Sequence, residues 1–104
     1  MGGVSVSVPV KYFSDGDEFD WKAWVAPLEY LCAGLGVQSD LKCSGIITSY
    51  AWNNVIDTVY RCASRLGYSR RIRNMPGKGK FETVTSSDIN LISSNIEVLL
   101  GAYS

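Results

Sequence analysis

Apolar residues recur at steps of three and four in three stretches of this chain. Between 49 and 66 they are Trp52, Val55, Ile56, Val59, Tyr60, Ala63 and Leu66; between 86 and 100 they are Ile89, Ile92, Ile96, Leu99 and Leu100. Between 18 and 35 the set is Trp21, Trp24, Val25, Leu28, Leu31, Cys32 and Leu35. That period places each set on one face of a helix, so three amphipathic helices are predicted over these ranges. Pro27 interrupts the first. It lacks the N–H that the helix needs and crowds the preceding turn, which predicts a kink or a split near Ala26.

The polar positions ahead of each stripe repeat as well. Ile47-Thr48-Ser49-Tyr50-Ala51-Trp52-Asn53-Asn54-Val55 returns thirty-seven residues later as Val84-Thr85-Ser86-Ser87-Asp88-Ile89-Asn90-Leu91-Ile92. With Thr85 as N-cap, Asp88 falls at N3, where a capping-box acid belongs, and Val84 and Ile89 fall at the N′ and N4 positions of a hydrophobic staple. Thr48 repeats this with Ile47 and Trp52. A fainter copy runs from Gly16 to Trp24, read with Asp17 as cap, Asp20 at N3 and Trp21 at N4; Gly16 leaves that staple without its first half. All three runs close on Leu-Gly, at Leu35-Gly36, Leu66-Gly67 and Leu100-Gly101. A glycine there suits a left-handed C-terminal cap. Asn53 and Asn90 follow the staple residue in both clear copies. Asn is a poor helix-interior residue, so its return points either to a side-chain hydrogen bond or to simple surface placement.

Two other segments read as extended. Val4, Val6, Val8 and Val10 alternate with Ser5, Ser7 and Pro9, which predicts an N-terminal arm over 1–12 with a valine face; Pro9 confines it to a sheet edge or to another surface. Residues 68–84 surround Met75-Pro76-Gly77-Lys78-Gly79, which predicts a β-hairpin with a basic tip. The expected fold is therefore mainly α (α+β): one domain over 1–104, with the arm ahead of a helical core over 13–104 that carries the hairpin.

The formal charge is zero, yet seven of the ten basic residues lie between Arg61 and Lys80, and four of the ten acids lie between Asp15 and Asp20. Arg70, Arg71, Arg73, Lys78 and Lys80 are the candidate contacts for a polyanion or an acidic protein partner. Tyr68 and Phe81 could stack on bases, but overall neutrality favours a hairpin that meets solvent or protein over a dedicated nucleic-acid reader. The acids near Asp17 lack the spacing and the closing glutamate of a calcium loop and suit a helix start instead. Gly77-Lys78-Gly79-Lys80 lacks the frame of a phosphate loop. The chain has no histidine, which removes the commonest general base and the Ser-His and Cys-His pairs. Cys32, Cys43 and Cys62 have no zinc-site spacing and read as reduced thiols of a protein made in a reducing cytoplasm. No metal, cofactor, catalytic residue or small-molecule substrate is expected. No apolar run reaches membrane-span length, and no membrane partner is expected.

The phrase Val/Ile-Thr-Ser-x-x-Trp/Ile-Asn-x-Val/Ile, present at 47–55 and 84–92, resembles a helix-start element of tailed-bacteriophage virion proteins. The resemblance implies a small non-enzymatic structural component such as a head-fibre base, a neck or connector piece, or a tail-appendage adaptor. It would act in the virion on copies of itself and on other virion proteins. The assembly interface expected from the sequence is the valine face Val4, Val6, Val8 and Val10, taken up by the chain's own hairpin or by an edge of a neighbouring subunit. The alternative is a small intracellular binding protein that uses the basic hairpin on nucleic acid or on an acidic protein.

Overall fold

The computed structural model describes residues 9–39, 41, 48–79 and 83–103. It contains α1 (Trp21–Leu35), α2 (Ser49–Leu66) and α3 (Ser86–Tyr103), and each helix packs on the other two. The helix starts follow from their caps. The Thr48 hydroxyl accepts from Ala51 N–H at 3.0 Å. Thr85 and Asp88 form the reciprocal pair, with Thr85 N–H donating to the Asp88 carboxylate at 2.9 Å and Asp88 N–H to the Thr85 hydroxyl at 3.3 Å.

The first helix starts three residues later than its sequence reading. Asp17 caps a turn: its carboxylate accepts from Ser14 N–H at 2.7 Å, and Gly16 sits at φ 90°. The N-cap is Asp20, which accepts from Ala23 N–H at 3.2 Å. This puts Trp24, not Trp21, at N4, and it supplies the missing staple residue. Phe19 is at N′, with its ring 5.3 Å from that of Trp24 in an edge contact. The aligned starts are thus Phe19-Asp20…Trp24, Ile47-Thr48…Trp52 and Val84-Thr85…Ile89, with Trp24, Trp52 and Ile89 all buried.

The ends differ in kind. Gly36 and Gly67 are left-handed, at φ 70° and 73°. Each is followed by a residue whose N–H reaches back into the helix, Val37 to Cys32 O at 2.9 Å and Tyr68 to Ala63 O at 2.8 Å. Gly101 caps nothing, because α3 continues to Tyr103. Nor does Pro27 split α1, which is one helix through the buried proline.

The three helices run in the same direction. Trp24 and Trp52, both at N4, stack 5.4 Å apart at 14°. Towards the far ends, Cys32 meets Cys62 and the Tyr30 ring meets Tyr103 at 5.8 Å. At the starts of α2 and α3, Lys78 touches both Asn53 and Asp88. Parallel helices force each connection to travel back the length of a helix, about 22 Å for fifteen residues. The described part of the connection from α2 to α3 is accordingly a long return segment.

That requirement overturns the hairpin. Among the described residues there is no strand. Tyr68–Arg71 is a turn closed by Arg71 N–H to Tyr68 O at 2.8 Å, and 73–79 is a single return pass with no partner strand among the described residues. The N-terminal arm is no strand either where it is described: residues 9–14 lie irregularly along α3, and 1–8 fall outside the described residues.

The buried core joins the three stripes around Trp24, Leu28, Leu31, Trp52, Val55, Val59, Ile92, Ile96 and Leu99, with Met75 added from the return segment. One polar side chain ties it together. Ser93, fully buried, accepts from the Trp24 indole N–H at 3.0 Å and donates to Lys11 O at 2.7 Å. This links α1, α3 and the N-terminal segment.

Candidate functional site

The return segments are held by asparagine amides. Asn90 accepts from Phe13 N–H at 2.8 Å and donates to Phe13 O at 2.7 Å. Asn53 takes Lys78 in the same way, at 2.9 and 3.0 Å, and Asn95 takes Arg73, at 2.9 Å for both bonds. In each pair one side-chain amide satisfies both main-chain polar groups of one residue, as a neighbouring strand would. Extended backbone can therefore lie against a helix without a sheet. Gly77 makes room, since a Cβ there would stand 2.9 Å from the Asn53 amide oxygen.

The clamps of Asn53 and Asn90 share one geometry. Each amide is the fifth residue of its helix, and each clamped residue lies seven positions before the next N-cap: Phe13 before Asp20, and Lys78 before Thr85. The segment entering α1 is held by α3, and the one entering α3 by α2. At the corresponding place before α2 stands Leu41, packed on the core, and the fifth residue of α1 is Val25. The sequence repeat thus encodes a unit of return segment plus capped helix, with an amide clamp on the segments that enter α1 and α3.

The basic residues predicted as one patch stand in different local settings, with Arg70, Arg71 and Arg73 all exposed. Arg70 and Arg71 are exposed on the turn after α2, with the Arg71 guanidinium 5.7 Å from the centre of the Tyr68 ring. Arg73 has its main chain clamped by Asn95 two residues ahead of buried Met75. Lys78 is turned to Asp88, 3.1 Å from its carboxylate. Lys80 lies outside the described residues, as do Val4, Val6 and Val8. Val10 is half-buried against the chain's own core.

Asp88 thus serves a cap and an ion pair together. Burial pushes its carboxyl up, but the Thr85 N–H, the Lys78 ammonium and the Thr85 hydroxyl outweigh this and hold it below the ordinary carboxylate range. A folded-state pKa below the unfolded value contributes stability that is present above the unfolded pKa and is lost as pH falls through the folded one. Urea midpoints measured from neutral to strongly acidic pH are expected to fall more steeply for the native chain than for Asp88→Asn. Equal slopes would show that Asp88 is not linked to folding.

A second grouping lies at the other end of the helices. The sulfurs of Cys32 and Cys62, both buried, are 3.7 Å apart across the α1–α2 contact. Hydrogen bonding from Cys62 lowers the Cys32 pKa against the opposing effect of burial, with further help from the exposed Ser39 and the Arg61 charge. Cys62 is pushed up by its bond to Cys32 and by burial, so Cys32 is the first of the pair to ionise. Arg61 is itself fixed by Asp57 at 3.0 Å and by Gln38 O at 3.1 Å. Between the residues that follow α1 and the last turns of α2 opens a 680 Å³ recess lined by Gly36, Val37, Gln38, Arg61, Ser64 and Arg65.

Periodicity had placed both cysteines on apolar faces, but it carries no information on which helix faces which, and their meeting was missed. Asn95 and Ser93 were missed because single polar residues on an apolar face leave no periodic signal. No family model, curated protein sequence or solved structure matches this chain.

Proposed function

We propose that this protein is a non-enzymatic structural module of a tailed-phage particle, working through contacts with copies of itself and with other virion proteins. The reading rests on the twice-repeated Thr-Ser-x-x-Trp/Ile-Asn phrase, each of whose parts has a structural task here. The threonine caps, the large residue enters the core, and the asparagine clamps a return segment.

The observation that carries the assembly role is the anchoring of the N-terminal segment. Lys11 O is bound to Ser93, Phe13 to Asn90 and the Tyr12 hydroxyl to Glu97, so residues 11–13, which follow the alternating valines in sequence, are fixed to α3. Tyr12 and Val98 are exposed, and among the described residues Tyr50 is the most exposed of the large apolar side chains at 71%. Tyrosines held on a fixed frame offer contact area at low ordering cost.

Deletion of residues 2–8, which spares the core contact of Val10, tests this by light scattering. The full chain is expected as a defined homo-oligomer and the truncated chain as a folded monomer. An unchanged mass on truncation, or a monomeric full chain that binds nucleic acid in a salt-sensitive manner, overturns the reading.

A further inference from the structure

We propose that Cys32 and Cys62 are a site of reversible oxidation, closing to an intramolecular disulfide that ties the end of α1 to α2 when the protein meets a hydroperoxide. The two sulfurs already touch at 3.7 Å, and a disulfide requires an approach of about 1.7 Å more. Cys32 lies in the last turn of α1, where Gly36 ends the helix and the exposed Gln38–Ser39 stretch follows. The Trp24–Trp52 stack lies at the opposite end of these helices. A recess bordered by Gly36, Gln38 and Arg61 opens at the same end of the two helices.

The steps follow from the two environments. Cys32, whose pKa the Cys62 hydrogen bond lowers with help from Ser39 and the Arg61 charge, is the first of the touching pair to form a thiolate, and thiolates are the reactive form. Its sulfur attacks the terminal oxygen of the hydroperoxide. An S–O bond forms, the O–O bond breaks, and the leaving oxygen takes a proton to depart as water or an alcohol. Cys32 is then a sulfenic acid. The Cys62 sulfur attacks the Cys32 sulfur, the S–O bond breaks, and water leaves with the Cys62 proton. Two thiols have lost two electrons, and the peroxide has gained them.

The test uses the full chain, reduced and then treated with hydrogen peroxide, denatured, alkylated and weighed. Cleavage after Lys42, Arg61 and Arg65 leaves Cys32, Cys43 and Cys62 on separate tryptic peptides. The expected result is a monomer two hydrogens lighter. It should have Cys43 still alkylated, the Cys32 and Cys62 peptides joined, full reversal by dithiothreitol, and a higher melting temperature when oxidised. In Cys62→Ser, dimedone should mark Cys32; in Cys32→Ser, Cys62 should stay unmarked. Three alkylated thiols after peroxide, a bridge that includes Cys43, or dimedone labelling of Cys62 ahead of Cys32 would each overturn the proposal.

Discussion

Trp52→Ala is expected to cost about 3–5 kcal/mol, a large part of the stability of a domain this size. Trp52 is 1% exposed, and its ring lies flat on that of Trp24, so truncation removes the stack and leaves a cavity between α1 and α2. Trp52→Phe separates packing from polarity. The Trp52 indole N–H is buried with no hydrogen-bond partner among the described residues, and removing such a donor recovers about 1–3 kcal/mol of desolvation, which offsets much of the lost area. Trp24→Phe has no such compensation, because it deletes the 3.0 Å bond to Ser93. Urea unfolding should therefore rank Trp52→Phe close to the native chain, Trp24→Phe clearly below it, and Trp52→Ala lowest. If Trp52→Phe proves as damaging as Trp52→Ala, ring shape rather than the orphaned donor governs this position.

The second large effect belongs to the amide clamps. Asn95→Leu preserves bulk on α3 but strips both partners from the main chain of Arg73. Two part-buried backbone groups left unpaired are expected to cost about 2–4 kcal/mol. The loss should be local in character: hydrogen exchange of residues 72–79 should accelerate, while the amides of α1 keep their protection. Asn90→Leu should release residues 10–14 in the same way. Uniform acceleration across all three helices would mean that the return segments are part of the global folding unit rather than strapped onto it.

The helices were legible because their signals are local. Capping is decided within four residues and the stripes repeat every turn, so α2 was read with its observed bounds and α3 with its observed start. The error at α1 is informative. Asp17 and Asp20 both look like caps, and the choice lay in the hydrophobic partner. Phe19 and Trp24 are five apart and both apolar, as a staple requires, whereas Gly16, also five before Trp21, has no side chain to pack. The hairpin failed for a different reason. A Pro-Gly centre between extended residues fits a β-turn locally, but its two sides pair only if the chain reverses there. Here the chain must carry on to the start of a parallel helix.

By itself the sequence determined three capped helices, their buried faces and a repeating Asn at the fifth helical position. Periodicity and capping depend on neighbours along the chain. The tertiary structure alone decided that the helices run parallel, that Asn53, Asn90 and Asn95 hold Lys78, Phe13 and Arg73, and that Cys32 meets Cys62. An apolar stripe looks the same whichever way its helix points. A buried main-chain N–H or C=O accepts whichever amide the packing brings within reach, so direction and partner are fixed only when the helices close on one another.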